Sequence, residues 1–366
     1  MGHMVGGHLS TFAGRLGVMV AAAKSLLGHP EPVAYPFMLK PALKKLFPEV
    51  THLNIQRLGE GEHADYAFVE VHQGSTSRPV FVKYRIADDF DARRYRRFLN
   101  EATYLKGFAP LVNIPHAPLL DLQHNDQTCK AHLVLESLQD RCKMWTDLPE
   151  PERFQRVGQV VRLLAEFHAQ WMLHPALKDH PSGPWGDQLP VLLNKHRGTL
   201  EKAIQQKELP SELLHVAEQL QAKGTLEQLY ADAGRITLCH GDFHFGQVLV
   251  DRLNPARLYL IDYEHTSISP FGFDLAHFLV IRFNWFERQH LEKDLLEQYL
   301  QVMHQHGIGL TQAELWQGYR TGILNNFLLM WARFQRDPDP MFLELLQRLF
   351  VALQEHQVLQ PSSLLK

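Results

Sequence analysis

From residue 51 the chain alternates apolar and polar positions. THLNIQRL (51–58), DYAFVEVHQ (65–73) and PVFVKYRI (79–86) each put apolar side chains at every second position or in short runs. The joints between them, GEGEHA and GSTSRP, are rich in turn residues. A period of two with such joints predicts strands connected as hairpins. The period then lengthens. Asp88, Asp89 and Asp91 precede Tyr95, Phe98, Leu99, Ala102 and Leu105, which recur at helical spacing. Acids in a first turn complement the helix dipole, and Arg93, Arg94, Arg96 and Arg97 form the opposite, solvated face. PLLDLQH (118–124) and AHLVLE (131–136) return to strand texture. Beyond Ser137 the pattern is mainly helical, over 152–173, 190–206, 210–231, 273–287, 291–305, 311–333 and 340–357.

The pattern predicts an α+β protein: a β-rich segment over 51–136, with a five-stranded antiparallel sheet and one long helix, and an α-rich segment over 137–366. Residues 1–50 form an N-terminal extension with accessory helices, and Met1–His3 have the look of a tag remnant. Within that extension GVMVAAA is a seven-residue apolar run, too short to span a bilayer. Arg15 and Lys24 flank it, and it has no basic leader of the kind a signal peptide carries. With 366 residues and 45% hydrophobic content the chain can bury a large core. A formal net charge of −3 argues against nucleic acid as a partner, and no segment suggests a membrane partner. Cys129, Cys142 and Cys239 lie far apart without a paired spacing, which fits a reducing, cytoplasmic setting.

Chemistry concentrates in HGDFHFGQVLV (240–250). Twenty residues after Asp242 comes a second carboxylate, Asp262, in LYLIDYEH. ITLC, VLV and LYLI are strand-like, so both aspartates sit on loops that join strands. Two such carboxylates suit phosphoryl transfer, where one accepts the proton of an attacking hydroxyl and the other holds Mg²⁺ against the nucleotide phosphates. His240 and His244 are four apart, but His240 belongs to a loop, so the pair does not read as a zinc site. Gly59 and Gly61 lie in the first hairpin joint, where backbone amides can cover phosphates; a glycine turn alone is also an ordinary hairpin. Lys83 is a strand lysine one hairpin later. Glu101 borders the apolar stripe of the helix that follows, a place from which an acid can pair with that lysine.

These residues resemble the aminoglycoside phosphotransferase and choline kinase superfamily, the small-molecule kinases related in fold to protein kinases. The similarity runs in order from about Leu53 to Ala276: GEGEHADYAFVEV, VFVKY, NEATYL, LVLES, the LLAEFH helix end, HGDFHFGQ and IDYEHTSISPFGFDLAHF. It implies a two-lobed protein-kinase-like fold and an ATP- and Mg²⁺-dependent enzyme. By the same resemblance Asp242 is the catalytic base and Asp262 a Mg²⁺ ligand. Lys83 contacts the α- and β-phosphates with Glu101 as its partner, while the Glu136 backbone and Leu138 face adenine. Asp274 braces the catalytic loop, and His240 is a packing residue of that loop. Gln247 departs from the pattern, standing where the family usually has a metal-binding Asn; its amide oxygen is the same ligand on one more methylene.

The implied activity is transfer of the γ-phosphate of ATP to a hydroxyl of a small molecule, which is aminoglycoside-like, an amino alcohol or a sugar. A nucleotide-binding pseudokinase is the alternative if Gln247 does not hold metal. A protein kinase fits less well, because no DFG and APE pair frames an activation segment. Acids outnumber bases over 240–366. Phe283, Phe286 and Trp331 are candidates for cation–π capture of an amine, although their helical spacing equally suits a core.

Overall fold

The computed structural model describes residues 32–61, 64–85, 91–183, 185–206, 211–222, 224–231 and 234–358. The GVMVAAA run and the helix-start acids Asp88 and Asp89 lie outside them. The chain divides into two compact units, one of Met1–Leu111 with Pro115–Lys143 and one of Val112–Ile114 with Met144–Lys366.

In the first unit, α1 (Leu39–Leu46) precedes β1 (His52–Gly59), β2 (Ala64–Gln73) and β3 (Thr76–Arg85). After α2 (Ala92–Thr103) come β4 (Leu119–Asn125) and β5 (Lys130–Glu136). The five strands make one antiparallel sheet in the order β1-β2-β3-β5-β4, as the alternation predicts. Val80, Val82 and Tyr84 of β3 are buried with Val69, Val71 and Val134 in a core that also takes Leu39, Leu43 and Phe47 from in and around α1. Because successive side chains alternate faces, Lys83 projects from the other side of the sheet. Asp91 is the N-cap of α2 and not a first-turn acid. Its carboxylate accepts from the amides of Arg93 (2.7 Å) and Arg94 (3.4 Å), satisfying two donors that a helix start leaves open. Tyr95, Phe98, Glu101 and Ala102 form the buried stripe.

The second unit is mainly helical. It begins with α3 (Glu150–Trp171), α4 (Trp185–Gln206), α5 (Ser211–Gln221) and α6 (Thr225–Ala231). Four short strands follow: β6 (Ile236–Cys239), β7 (Val248–Asp251), β8 (Leu258–Leu260) and β9 (Ser267–Pro270). β6 pairs with β9 and β7 with β8, both antiparallel. Then come α7 (Gly272–Ala276), a π-helical turn (His277–Ile281), α8 (Trp285–Gln305), α9 (Gln312–Arg336) and α10 (Pro340–Glu355).

The helices depart most from the pattern-based expectation at three places, and the helix expected from 291 begins at Trp285. The expected helix 210–231 is two helices, because Gly224 takes a left-handed φ of +84° that no α-helix accommodates. The expected helix 273–287 stops at Ile281. Asn284 then starts α8 with a reciprocal capping box, its side chain accepting from Glu287 N while Glu287 accepts from Asn284 N, each at 2.9 Å. The helix expected from 190 begins at Trp185, with Pro190 tolerated inside it at the cost of one backbone hydrogen bond.

Glycine permits a close helix contact in this unit. A methyl group on Gly272 would overlap the Gly318 carbonyl, and one on Gly322 would overlap the Gly272 carbonyl. Here α7 therefore lies backbone against backbone on α9. No helix among the described residues is long and apolar enough to cross a membrane.

Candidate active site

In the first unit, the sheet and α2 bring Lys83 and Glu101 together. Lys83 sits in register between Tyr66 of β2 and Leu133 of β5. Its Nζ lies 2.7 Å from Glu101 Oε2, with the two side chains 17% and 5% exposed. Gly59 and Gly61 have a local packing reason. A Cβ on Gly59 would enter the Tyr66 ring, and one on Gly61 would meet the Ala64 carbonyl. At the end of β5 the Glu136 N–H donates to Pro118 O at 2.9 Å, and Ser137 N–H donates to Pro79 O at 3.1 Å. The amide of Glu136 is thus used within the sheet, so its carbonyl is the backbone group with a second lone pair to offer. Leu138 follows immediately, its carbonyl accepting from Cys142 N at 2.7 Å.

In the second unit the loop after β6 is pinned from three directions. The Asp274 carboxylate, fully buried on α7, accepts from His240 N at 2.6 Å and Gly241 N at 2.9 Å. Gly241 has φ +85°, and a Cβ there would overlap the His265 carbonyl, so the turn requires glycine. Asp274 also meets His168 Nε2 at 3.1 Å, and the other nitrogen of that ring contacts the Tyr299 hydroxyl of α8 at 2.9 Å. Burial acts to raise the Asp274 pKa, but the His168 hydrogen bond and the loop amides outweigh it and hold the group ionised below its ordinary range. Phe243 and Phe245 anchor the loop from below. They pack edge-to-face on Phe278 with centroids 5.3 and 4.9 Å away, and Phe245 also stacks on Trp145 at 6.1 Å. His240 is fully buried with Nε2 at 3.0 Å from Ile261 O, and burial pushes its pKa down toward the neutral ring.

Between these anchors Asp242 presents a carboxylate that remains 25% exposed. Its Oδ1 lies 3.1 Å from His277 Nε2 and 3.7 Å from Arg282 Nη2, and its Oδ2 lies 3.6 Å from His244 Nε2. Burial acts to raise its pKa, yet contacts with His244 and His277 outweigh this and hold it far below the usual carboxylate range. Gln247 and Asp262 converge: Gln247 Nε2 donates to Asp262 Oδ2 at 3.0 Å and sits 3.3 Å from His244 Nε2. Asp262 adopts φ +66°, ψ +63°, a left-handed conformation that costs a non-glycine residue about 1–3 kcal/mol and clusters at functional sites. The pair offers a carboxylate oxygen and an amide oxygen, the hard ligand type that Mg²⁺ takes.

The site contains groups to which the motifs gave no role, His168, His277, Arg282, Tyr299 and Asn326, and His244, which the sequence offered only as half of a rejected zinc pair. His168 ends the LLAEFH segment and His277 follows Asp274 by three residues, so both lay inside quoted strings without a role. Asn326 and Tyr299 gave no local signal, because only tertiary packing brings them to the loop. The aromatic candidates resolve differently. Phe283 and Trp331 are buried core residues, 4% and 0% exposed, while Phe286 is exposed on α8. Phe283 packs edge-to-face on Phe245 and Phe278, so its ring fills the support of the loop.

A kinase-type sheet with its lysine–acid pair, and a helical unit with a braced Asp loop, define the class of small-molecule phosphotransferases with a protein-kinase-like fold. Residues 54–316 match the model of the phosphotransferase enzyme family, and the chain belongs to that family. A choline kinase from Cryptosporidium parvum Iowa II is similar in structure with a TM-score of 0.57 and 13% identity, over 90% of this chain and 100% of that one. The GDP complex of aminoglycoside 2′-phosphotransferase-IIIa is similar with a TM-score of 0.54 and 15% identity, over 86% and 98%. At these identities the likeness is one of fold. In sequence, probable choline kinase 1 of Arabidopsis thaliana is 37% identical over 60 residues, spanning 16% of this chain and 17% of that protein. The chain is thus matched over about a sixth of the length of that curated relative.

Proposed function

We propose that the protein transfers the γ-phosphoryl group of ATP to a hydroxyl of a small molecule, with Asp242 as the base. The observation that carries this reading is Asp242 itself. It is an ionised carboxylate, partly open to solvent, on a loop whose backbone is fixed by Asp274, Gly241, the buried Phe243 and the half-buried Phe245. Positioning is most of what phosphoryl transfer asks of a protein. Asp242 orients the acceptor hydroxyl and takes its proton as the new O–P bond forms. Lys83, held by Glu101, supplies a fixed positive charge for the donor phosphates. Asp262 and Gln247 would hold Mg²⁺, which neutralises phosphate charge when bound. A relative's GDP complex supports nucleotide use, with ATP proposed as the donor here.

The acceptor belongs to the small hydroxyl compounds that the relatives' names cover, choline and aminoglycosides among them. Capture of an amine by Phe283 and Trp331 is not part of the proposal, since both rings are buried in the core. The test is a panel of amino alcohols, aminoglycosides and sugars, scored for ADP release from ATP and for GDP release from GTP. Acceptor-dependent release that disappears in Asp242→Asn supports the reading. Release unaffected by that substitution overturns it.

A further inference from the structure

We propose that His277 is a positioning residue for Asp242: an imidazolium whose Nδ1 proton is fixed by Asn326, so that the proton on Nε2 is the second one and serves to tether the carboxylate. The inference rests on the reading of Asp242 as the base. It starts from Asn326, which is fully buried on α9. Its Nδ2 donates to Gly322 O at 2.9 Å and to Phe273 O at 3.0 Å. Two carbonyl partners fix the amide, because the flipped orientation would set its oxygen against both of them. Asn326 Oδ1 is therefore what His277 Nδ1 meets at 2.8 Å, and that nitrogen carries a proton. A neutral ring would then be complete, with a bare lone pair on Nε2.

That lone pair would stand 3.1 Å from Asp242 Oδ1, on a ring only 2% exposed. A lone pair facing a carboxylate in a dry setting repels it; a second proton turns the same contact into a charge pair. The contact is one of charge more than of aligned hydrogen bonding, since Nε2 has no well-directed acceptor. His244 makes the contrast. Its Nδ1 accepts from Gly246 N at 2.9 Å, so a single proton on Nε2 already faces Asp242 Oδ2. Asp242 faces His277 directly, and it is shared with His244 from the loop and with Arg282 beyond the π turn, on which Arg333 of α9 and Arg348 of α10 act in turn. The Phe273 ring stacks on the imidazole with centroids 6.1 Å apart. Asp242 is the acid that balances this cationic group, and its depressed pKa agrees with that. Oδ1 is held by both His277 and Arg282, whereas Oδ2 has only His244 at 3.6 Å, beyond hydrogen-bond range, so Oδ2 is the oxygen that takes the acceptor's proton. In the transfer step the acceptor O–H bond breaks as O–P forms, the proton goes to Oδ2, the bridging P–O electrons leave with ADP, and His277 keeps both its protons.

The proton on Nε2 is directly observable. In protein labelled with ¹⁵N-histidine and free of ligand, long-range ¹H–¹⁵N correlation at neutral pH reports the protonation of each ring nitrogen. The His277 signals are identified by their loss in His277→Gln and independently by their shift in Asn326→Leu. Both nitrogens are expected to be protonated in the parent protein. Asp242→Asn is expected to remove the Nε2 proton and leave Nδ1–H. Asn326→Leu frees the ring, and a single proton on Nε2 is expected. A parent spectrum with one ring proton, on either nitrogen, overturns the proposal. So does an Asp242→Asn spectrum unchanged from the parent. No turnover enters the measurement, so its failure is distinct from failure of the acceptor screen.

Discussion

Asp274→Asn is the substitution that most directly tests whether the loop is organised from α7. In the parent protein Oδ2 accepts from His240 N and His168 Nε2, and Oδ1 accepts from Gly241 N. An asparagine has one acceptor oxygen. With that oxygen in the place of Oδ2, the amide NH₂ faces the Gly241 N–H, donor against donor. One charge-assisted bond is lost and the others are weakened, at about 1.5–3 kcal/mol for bonds to a charged group. A stranded buried donor adds about 1–3 kcal/mol. The sum is roughly 2.5–6 kcal/mol, which brackets the loss of about 3–5 kcal/mol found when one partner of a buried pair is removed. For a unit of this size each kcal/mol shifts the Tm by about 2–4 °C, so a fall of roughly 5–24 °C is expected by calorimetry. The pH dependence follows in sign. The folded pKa of Asp274 is depressed, so its contribution is fully present above the unfolded carboxylate value and is lost as pH falls through the folded one. The parent protein should therefore lose more stability than Asp274→Asn on acidification from neutrality. A Tm change under about 2 °C, or parallel acid profiles, would refute the bracing role.

Three further outcomes are expected. Asp242→Asn should lower kcat by about 10²–10⁴-fold with nucleotide affinity nearly unchanged, as measured by titration calorimetry. Asp262→Ala should weaken Mg²⁺-dependent nucleotide binding more than Gln247→Ala, because a carboxylate supplies charge and an amide does not; an equal or reversed order in Mg²⁺ titrations contradicts the ligand assignment. Glu101→Gln keeps the side-chain size but removes the charge that holds Lys83, and at about 1 kcal/mol it should raise the KM for ATP about fivefold while circular dichroism stays unchanged.

Much of the sheet was legible because its signal is local. A period of two identifies β1 to β5, and a lysine between Val82 and Tyr84 must face away from the core that they enter. The loop from His240 to Gln247 was legible as a motif. Helix ends were less so. Gly224 and the Asn284–Glu287 capping box were visible in the sequence, but helical periodicity ran across both and masked them. The tethers of Asp242 were not legible at all. His277 reaches the carboxylate because a π turn follows α7, and Asn326 reaches His277 because three glycines let α7 settle on α9. Neither contact leaves a mark at short range. Phe283 and Trp331 illustrate the converse, since aromatic residues at helical spacing read the same whether they line a pocket or fill a core.

The glycine crossing of α7 and α9 also sets the moment at which the site can come into being. A ribosome releases Asp242, Asp262 and Asp274 well before Gly318, Gly322 and Asn326, and chains lengthen at about 5–20 residues per second. Until α9 emerges, α7 has no backbone to rest on and the imidazole of His277 has nothing to fix its proton. Contacts so distant in sequence form late and slowly. For several seconds the nascent chain thus carries every residue of the HGDFHFGQ loop without the packing that fixes it, and that packing forms only once the C-terminal helices have emerged.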